Sequence, residues 1–121
     1  MNDKEMLSKR VFAVVGDTVN EQKYAYKIKK ALLENGYTVY AVGKESASLN
    51  DIPPFDILDL CIHPVKGLKL LSEYKGTIPF VLIQPGASSP EIIAFLDEKK
   101  IPYQDGCVLR ALEGVGKKVE F

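Results

Sequence analysis

Short apolar runs alternate with amphipathic stretches along most of this chain. The first run, Arg10 to Val15 (RVFAVV), is apolar at nearly every position. It therefore reads as a strand buried on both faces rather than one with a solvent side. Glu21 to Asn35 carries Ala25, Ile28, Ala31 and Leu32 at helical spacing, with lysines on the opposite face. Asn35-Gly36 is a helix stop signal, and Tyr37 to Val42 predicts a second strand. A polar loop from Gly43 to Pro54 closes on two prolines before a third strand, Phe55 to Ile62 (FDILDLCI), which ends at His63-Pro64. Val65 to Tyr74 carries Leu68, Leu70 and Leu71 and predicts a helix. Pro79 to Ile83 is a short fourth strand ending in Gln84-Pro85-Gly86. Ser88 or Ser89 can cap the next helix, with Pro90 at its first position, Glu91 in its first turn, and Ile92, Ile93, Phe95 and Leu96 on its buried side. Ile101 to Gln104 is a fifth strand, followed by Asp105-Gly106-Cys107 and a short helix over Val108 to Glu113.

Strands alternating with helices at this rhythm predict an α/β fold with a five-stranded parallel sheet covered on both faces. Right-handed crossovers give a three-layer sandwich, for which the expected strand order is 3-2-1-4-5, in one domain over residues 1–121. In such sheets ligands bind beyond the carboxyl ends of the strands, beside strand 1. That rule selects Gly16 to Lys23, Ala41 to Lys44, Cys61 to Pro64, Ile83 to Ala87 and Asp105 to Cys107. The first of these is the most telling. A buried strand that stops at Gly16 and feeds a helix leaves that helix's first backbone N–H groups aimed at one point, where the helix dipole favours an anion such as phosphate. The full G-x-G-x-x-G fingerprint is absent.

Charge confines any phosphate site to a local one. Sixteen basic residues balance sixteen acidic ones, so the chain lacks the basic excess that a general nucleic-acid or membrane-surface binder needs. No apolar run approaches the roughly 20 residues of a membrane span. The opening MNDKEMLSKR mixes acids with bases and does not read as a signal peptide. Cys61 and Cys107 have no metal-ligand spacing and read as reduced thiols, which predicts a cytoplasmic protein.

Several residues at the strand ends carry chemistry. Gly16 suits a tight turn and equally the close approach of a ligand. Thr18 can cap the helix or donate to a phosphate. Lys23, placed in the first helical turn, opposes the helix dipole unless an anion is present. Lys44 is a loop lysine within reach of a nucleotide, and His63 is a candidate acid–base group or a rim residue. Cys61 alternates inside an apolar strand and is expected in the core, whereas Cys107 opens the last helix and is a candidate reactive thiol. No serine or cysteine is placed to partner the single histidine, and no acid pair is clustered. A binding module is favoured over an enzyme.

The marks Ala13-Val14-Val15-Gly16, Tyr26, Leu32-Leu33-Glu34-Asn35-Gly36-Tyr37, Gln84-x-Gly86 and Asp105-x-Cys107 stand in an order and spacing that resemble the stand-alone CoA-binding proteins. These are single Rossmann-like domains, similar to the CoA-binding domain of the succinyl-CoA synthetase alpha subunit. The resemblance runs from about Lys9 to Glu113. It implies that coenzyme A or an acyl-CoA is the cofactor, with the diphosphate at the strand 1 turn and the adenosine beside the end of strand 2. The candidate site is therefore Gly16, Asp17, Thr18, Lys23, Val42, Gly43, Lys44, His63, Pro64, Gln84 and Gly86. The chain departs from the family at Asp17, where a small residue is usual, and at Tyr24 and Ala25, where proline and serine are common. Gly43-Lys44 stands in place of Asn-Pro. Two other readings follow from the residues: an NAD(P)-binding oxidoreductase or redox sensor, with Glu45 near the end of strand 2 for a ribose hydroxyl, and an assembly domain with a decayed site. None of the three readings calls for a nucleic-acid or membrane partner.

Overall fold

The computed structural model describes residues 1–119. Five parallel strands run through its middle: β1 (Val11–Gly16), β2 (Thr38–Gly43), β3 (Ile57–Cys61), β4 (Val81–Ile83) and β5 (Tyr103–Asp105). Five helices accompany them: α1 (Asp3–Met6), α2 (Tyr24–Glu34), α3 (Pro64–Glu73), α4 (Pro90–Glu98) and α5 (Val108–Gly114). The parallel α/β architecture read from the sequence is the one observed.

The strand order is a correction. It is β2-β1-β3-β4-β5, not 3-2-1-4-5. β3 is buried along Ile57–Leu60, whereas β2 is exposed at Thr38 and Gly43 and only half-buried at Val39 and Tyr40. Burial on both faces requires neighbours on both sides, so the more apolar strand takes the centre and the half-polar one the edge. Right-handed crossovers are compatible with either order, and the handedness rule alone does not choose. The consequence is functional. The crossover from β1 runs to β2 on one side and that from β3 to β4 on the other, so the crevice opens between the ends of β1 and β3, where Gly16 pairs in register with Cys61.

Alternation along the strands sorts their side chains into two layers. Phe12, Val14, Ile57 and Leu82 meet Ile28, Leu32, Leu109 and Leu112 from α2 and α5, with Met6 from α1. Ala13, Val15, Leu58, Leu60, Val81 and Ile83 meet Leu71 of α3 and Ile92 and Leu96 of α4, together with Leu49 from a 3-10 turn at Leu49–Asp51. Neither α1 nor the 3-10 turn is foreseen in the sequence, since three or four residues are too few to display a period. Asn2 caps α1 by accepting from the Glu5 N–H at 2.7 Å, and the Tyr37 hydroxyl donates to the Leu7 carbonyl at 2.5 Å, holding α1 against the sheet.

α4 begins as read, with the Ser89 hydroxyl accepting from the Ile92 N–H and Pro90 at the first position. α2 begins later than expected, at Tyr24 rather than Glu21. Asp17 and Asn20 bind nearby backbone amides and hold residues 17–22 in turns instead, the competition with helix that short polar side chains offer.

Candidate functional site

β1 and β2 end at glycines that pack backbone against backbone. A β-carbon on Gly16 would strike the Cys61 carbonyl oxygen and lie 2.9 Å from the Ala25 β-carbon. One on Gly43, whose φ of 128° is itself unfavourable for other residues, would lie 2.6 Å from the Gly16 oxygen. The glycine ends of β1 and β2, with the Cys61 carbonyl of β3 against them, therefore form a bare backbone shelf at the mouth of the crevice. Val42 is buried just beneath it.

Above the shelf, the loop after β1 is organised by its own side chains. The Asp17 carboxylate accepts from the Val19 and Asn20 amides at 3.1 and 3.0 Å, and Asn20 accepts from Gln22 at 2.9 Å. The Asn20 amide above all holds the Asp17 carboxyl below its usual range, with Lys44 and Lys23 adding to the effect. Asp17 thus staples the loop. Lys23 is corrected from the first helical turn to the N-cap position, where its side chain cannot accept, and no side chain caps α2. The first amides of this eleven-residue helix face the shelf without a side-chain partner.

Thr18 differs from both expectations. It neither caps the helix nor lies free for a phosphate, but is buried and donates to Glu45 Oε2 at 2.5 Å. Lys29 of α2 holds the same carboxylate, at 2.7 and 2.9 Å from its two oxygens. The Lys29 bond first and the Thr18 bond second keep the Glu45 carboxyl below its usual range. One carboxylate thereby ties the β1 loop, α2 and the loop after β2 together. Lys44, beside it, is exposed.

At the end of β3, His63 is exposed and its Nδ1 accepts from the Val65 N–H at 3.2 Å, capping α3 with Pro64 in the first turn. This explains the histidine by local structure. At the end of β4, the Ala87 amide returns to the Gln84 carbonyl at 3.0 Å, and Gly86 adopts φ 87°, as the third residue of a Pro-Gly turn does. Gln84 itself is buried, and its Nε2 donates to Asp59 Oδ1 at 2.6 Å.

Asp59 escaped the sequence reading, although an aspartate in the middle of an apolar strand was the signal. Its side chain lies on the α2–α5 face, fully buried, and Oδ2 has no hydrogen-bond partner. Burial pushes its carboxyl up to about 7, against the opposing pull of the Gln84 bond. Next to it is a cavity of about 220 Å³ lined by Tyr24, Cys61, Gln84, Pro85, Cys107 and Arg110. Cys61 is corrected from core to half-buried: at the last position of β3 it packs against the α2–α5 core and also lines this cavity.

A second cavity, of about 320 Å³, lies on the other side of the shelf, between Gly43 and the α3 residues Lys66, Lys69, Leu70 and Glu73. Lys66 and Lys69 were also missed, since in the sequence they look like the solvated face of a helix. A larger cavity of about 520 Å³ sits at the opposite end of the sheet, against Leu71, Tyr74, Ile78, Phe95 and Ile101. It is bordered by the carboxyl ends of α3 and α4 and by Lys99 and Lys100, and it lies away from the carboxyl strand ends at which such sheets bind their ligands. Among the described residues no group of three or more metal-ligating side chains is gathered, and no helix is long and apolar enough to cross a membrane.

A family model described as CoA binding domain matches residues 10–113. No curated protein matches the chain. Among solved structures, a conserved hypothetical protein from Pyrococcus furiosus is 29% identical with a TM-score of 0.77, covering 86% of this chain and 98% of its own. A Thermus thermophilus protein is 25% identical with a TM-score of 0.75 over 95% of this chain and 99% of its own. A hypothetical protein from Pyrococcus horikoshii OT3, at 23% identity, shares the fold with a TM-score of 0.80 over 94% of this chain and 92% of its own.

Proposed function

The chain belongs to the CoA binding domain family, and on that premise we propose that it is a non-catalytic binding module for coenzyme A or an acyl-CoA. The observation that carries the reading is the start of α2, an uncapped helix end above the glycine shelf of Gly16 and Gly43. A diphosphate placed there accepts the free amides of α2 and meets the helix dipole. Lys23 at the N-cap then faces an anion rather than the bare positive end of a dipole. Asp17 is compatible with this arrangement because its carboxylate turns back onto the Val19 and Asn20 amides. Of the remaining candidates, Gly43, Lys44, His63, Pro64 and Gly86 form the rim along which the rest of the cofactor extends, while Val42 and Gln84 are buried beneath it.

Glu45 argues against a dinucleotide. It is the acid nearest the end of β2, but Thr18 and Lys29 already occupy its oxygens, so it has little left to offer a ribose hydroxyl. A basic residue suits a ribose phosphate instead, and Lys44 is exposed at this point.

Titration calorimetry with CoA, dephospho-CoA and NAD tests the reading. CoA binds best, and the chain prefers it to dephospho-CoA by about 1 kcal/mol, as a screened surface contact allows. Lys44→Ala removes that preference while sparing dephospho-CoA. Equal binding of NAD, or no heat with CoA, overturns the assignment; a preference intact in the variant moves the phosphate contact from Lys44 to Lys66 and Lys69.

A further inference from the structure

The cavity between α2 and α5 holds both cysteines of the chain, and nothing in the nucleotide reading uses them. Cys61 ends β3 and Cys107 precedes α5; both are half-buried, and both line the same space of about 220 Å³. Its volume is below the 300–1,000 Å³ or so of pockets that enclose drug-sized ligands, so it admits a short arm rather than a whole cofactor. Arg110 stands at its mouth, exposed and in no salt bridge among the described residues. Behind Gln84, the fully buried Asp59 keeps one oxygen unpartnered. The wall is thus two thiols, an amide tied to a buried acid, and a free guanidinium at the entrance.

We propose that Cys107 is a site of reversible S-thiolation by anionic low-molecular-weight disulfides, with the thiol-bearing arm seated in this cavity and its charged end against Arg110. Cys107 gives its proton to solvent, and its Sγ attacks one sulfur of R–S–S–R. The new Sγ–S bond forms as the old S–S bond breaks, and R–S⁻ leaves to take up a proton. Cys107 is oxidised and half of the small disulfide is reduced, so electrons balance without another reagent. Cys61 does not carry the exchange further. Burial first, with Asp59 and Cys107 adding to it, pushes its thiol up to about 12, so it stays protonated and does not expel the adduct as an internal disulfide. The adduct persists until excess free thiol reverses it, and it stands next to the Gly16–Cys61 end of the crevice.

The test uses the reduced, full-length chain with oxidised glutathione, and separately with the uncharged hydroxyethyl disulfide, read by intact mass and peptide mapping. One adduct forms with each, on Cys107, and free thiol removes it. Cys61→Ser keeps the adduct and Cys107→Ser lacks it. Arg110→Ala slows the glutathione reaction about threefold, the size of a screened charge contact, and leaves the hydroxyethyl reaction unchanged. Mapping the native chain itself guards against a variant that folds poorly. An adduct on Cys61, a loss of two hydrogens that marks a Cys61–Cys107 bridge, or a native chain that stays unmodified while the same chain in urea takes two adducts would each overturn the proposal. None of these outcomes depends on whether CoA binds.

Discussion

The two faces of the sheet are built from the same five strands and do different things. Toward α3 and α4 the central positions are Ala13, Val15, Leu58, Leu60, Val81 and Ile83, apolar without interruption. Toward α2 and α5, Phe12, Val14, Ile57 and Leu82 share the layer with Asp59, and Cys61 and Gln84 follow at the strand ends. A purely apolar face needs only close packing. A face that buries a carboxyl gives up stability for it, unless burial can be offset by hydrogen bonds or by keeping the proton. Asp59 has one bond where its two oxygens could accept several, so the α2–α5 side is the face on which this fold departs from optimal packing. It is also the face above which the uncapped end of α2 lies.

The largest expected effect is the pH dependence of that difference. The Asp59 carboxyl moves from 3.8 in the unfolded chain to about 7 in the folded one. The folded state therefore holds a proton that the unfolded state has lost. Its stability contribution is complete below about pH 4 and is lost as pH rises through 7, at an order-of-magnitude cost of ~4 kcal/mol. Asp59→Asn keeps the acceptor for Gln84 and removes the titration. Urea unfolding from pH 4 to 8 shows the variant level with the wild type at acid pH and increasingly more stable above it. A constant difference across that range would mean the carboxyl does not titrate between the two states.

Next in size is the apolar face. Leu60 is fully buried, and Leu60→Ala lowers stability by about 3 kcal/mol, within the usual range for a leucine cavity. The loss is the same at pH 4 and pH 8, because the packing it removes is apolar. A penalty that grows with pH would couple the two faces and dissolve the distinction. The smallest effect returns to the first face. Tyr37→Phe removes the hydroxyl that reaches Leu7 and lowers stability by about 1 kcal/mol, while the edge-to-face contact with Phe12 survives. An unchanged urea midpoint would show that α1 does not depend on that bond.

Much of this was legible in the sequence, and the reasons are local. RVFAVV, the Asn35-Gly36 stop and Ser89-Pro90 are signals carried within a few residues, and each sits where read. Strand order is not local. It follows from comparing the burial of β2 and β3, and FDILDLCI, the more apolar run, contained that comparison. At the site, Gly16 and Gly43 were placed correctly at strand ends, but their mutual contact arises only when the strands pair. Thr18 and Lys29 find Glu45 across 27 and 16 positions, and Gln84 finds Asp59 across 25. No periodicity announces such partners. The Cys61–Cys107 cavity was hidden for the same reason, since its walls come from α2, the ends of β3 and β4, and α5, which are far apart in the sequence.

The glycine shelf also has a genetic consequence. Every missense change that one base can make in a glycine codon yields a residue with a β-carbon, and at position 16 or 43 that carbon meets backbone rather than a side chain that can swing aside. Gly114, by contrast, has open space around it at the exposed end of α5. A saturation library of this chain should therefore lose positions 16 and 43 almost completely under selection for folded protein. The two gaps would appear together because each β-carbon intrudes on the same junction of strands.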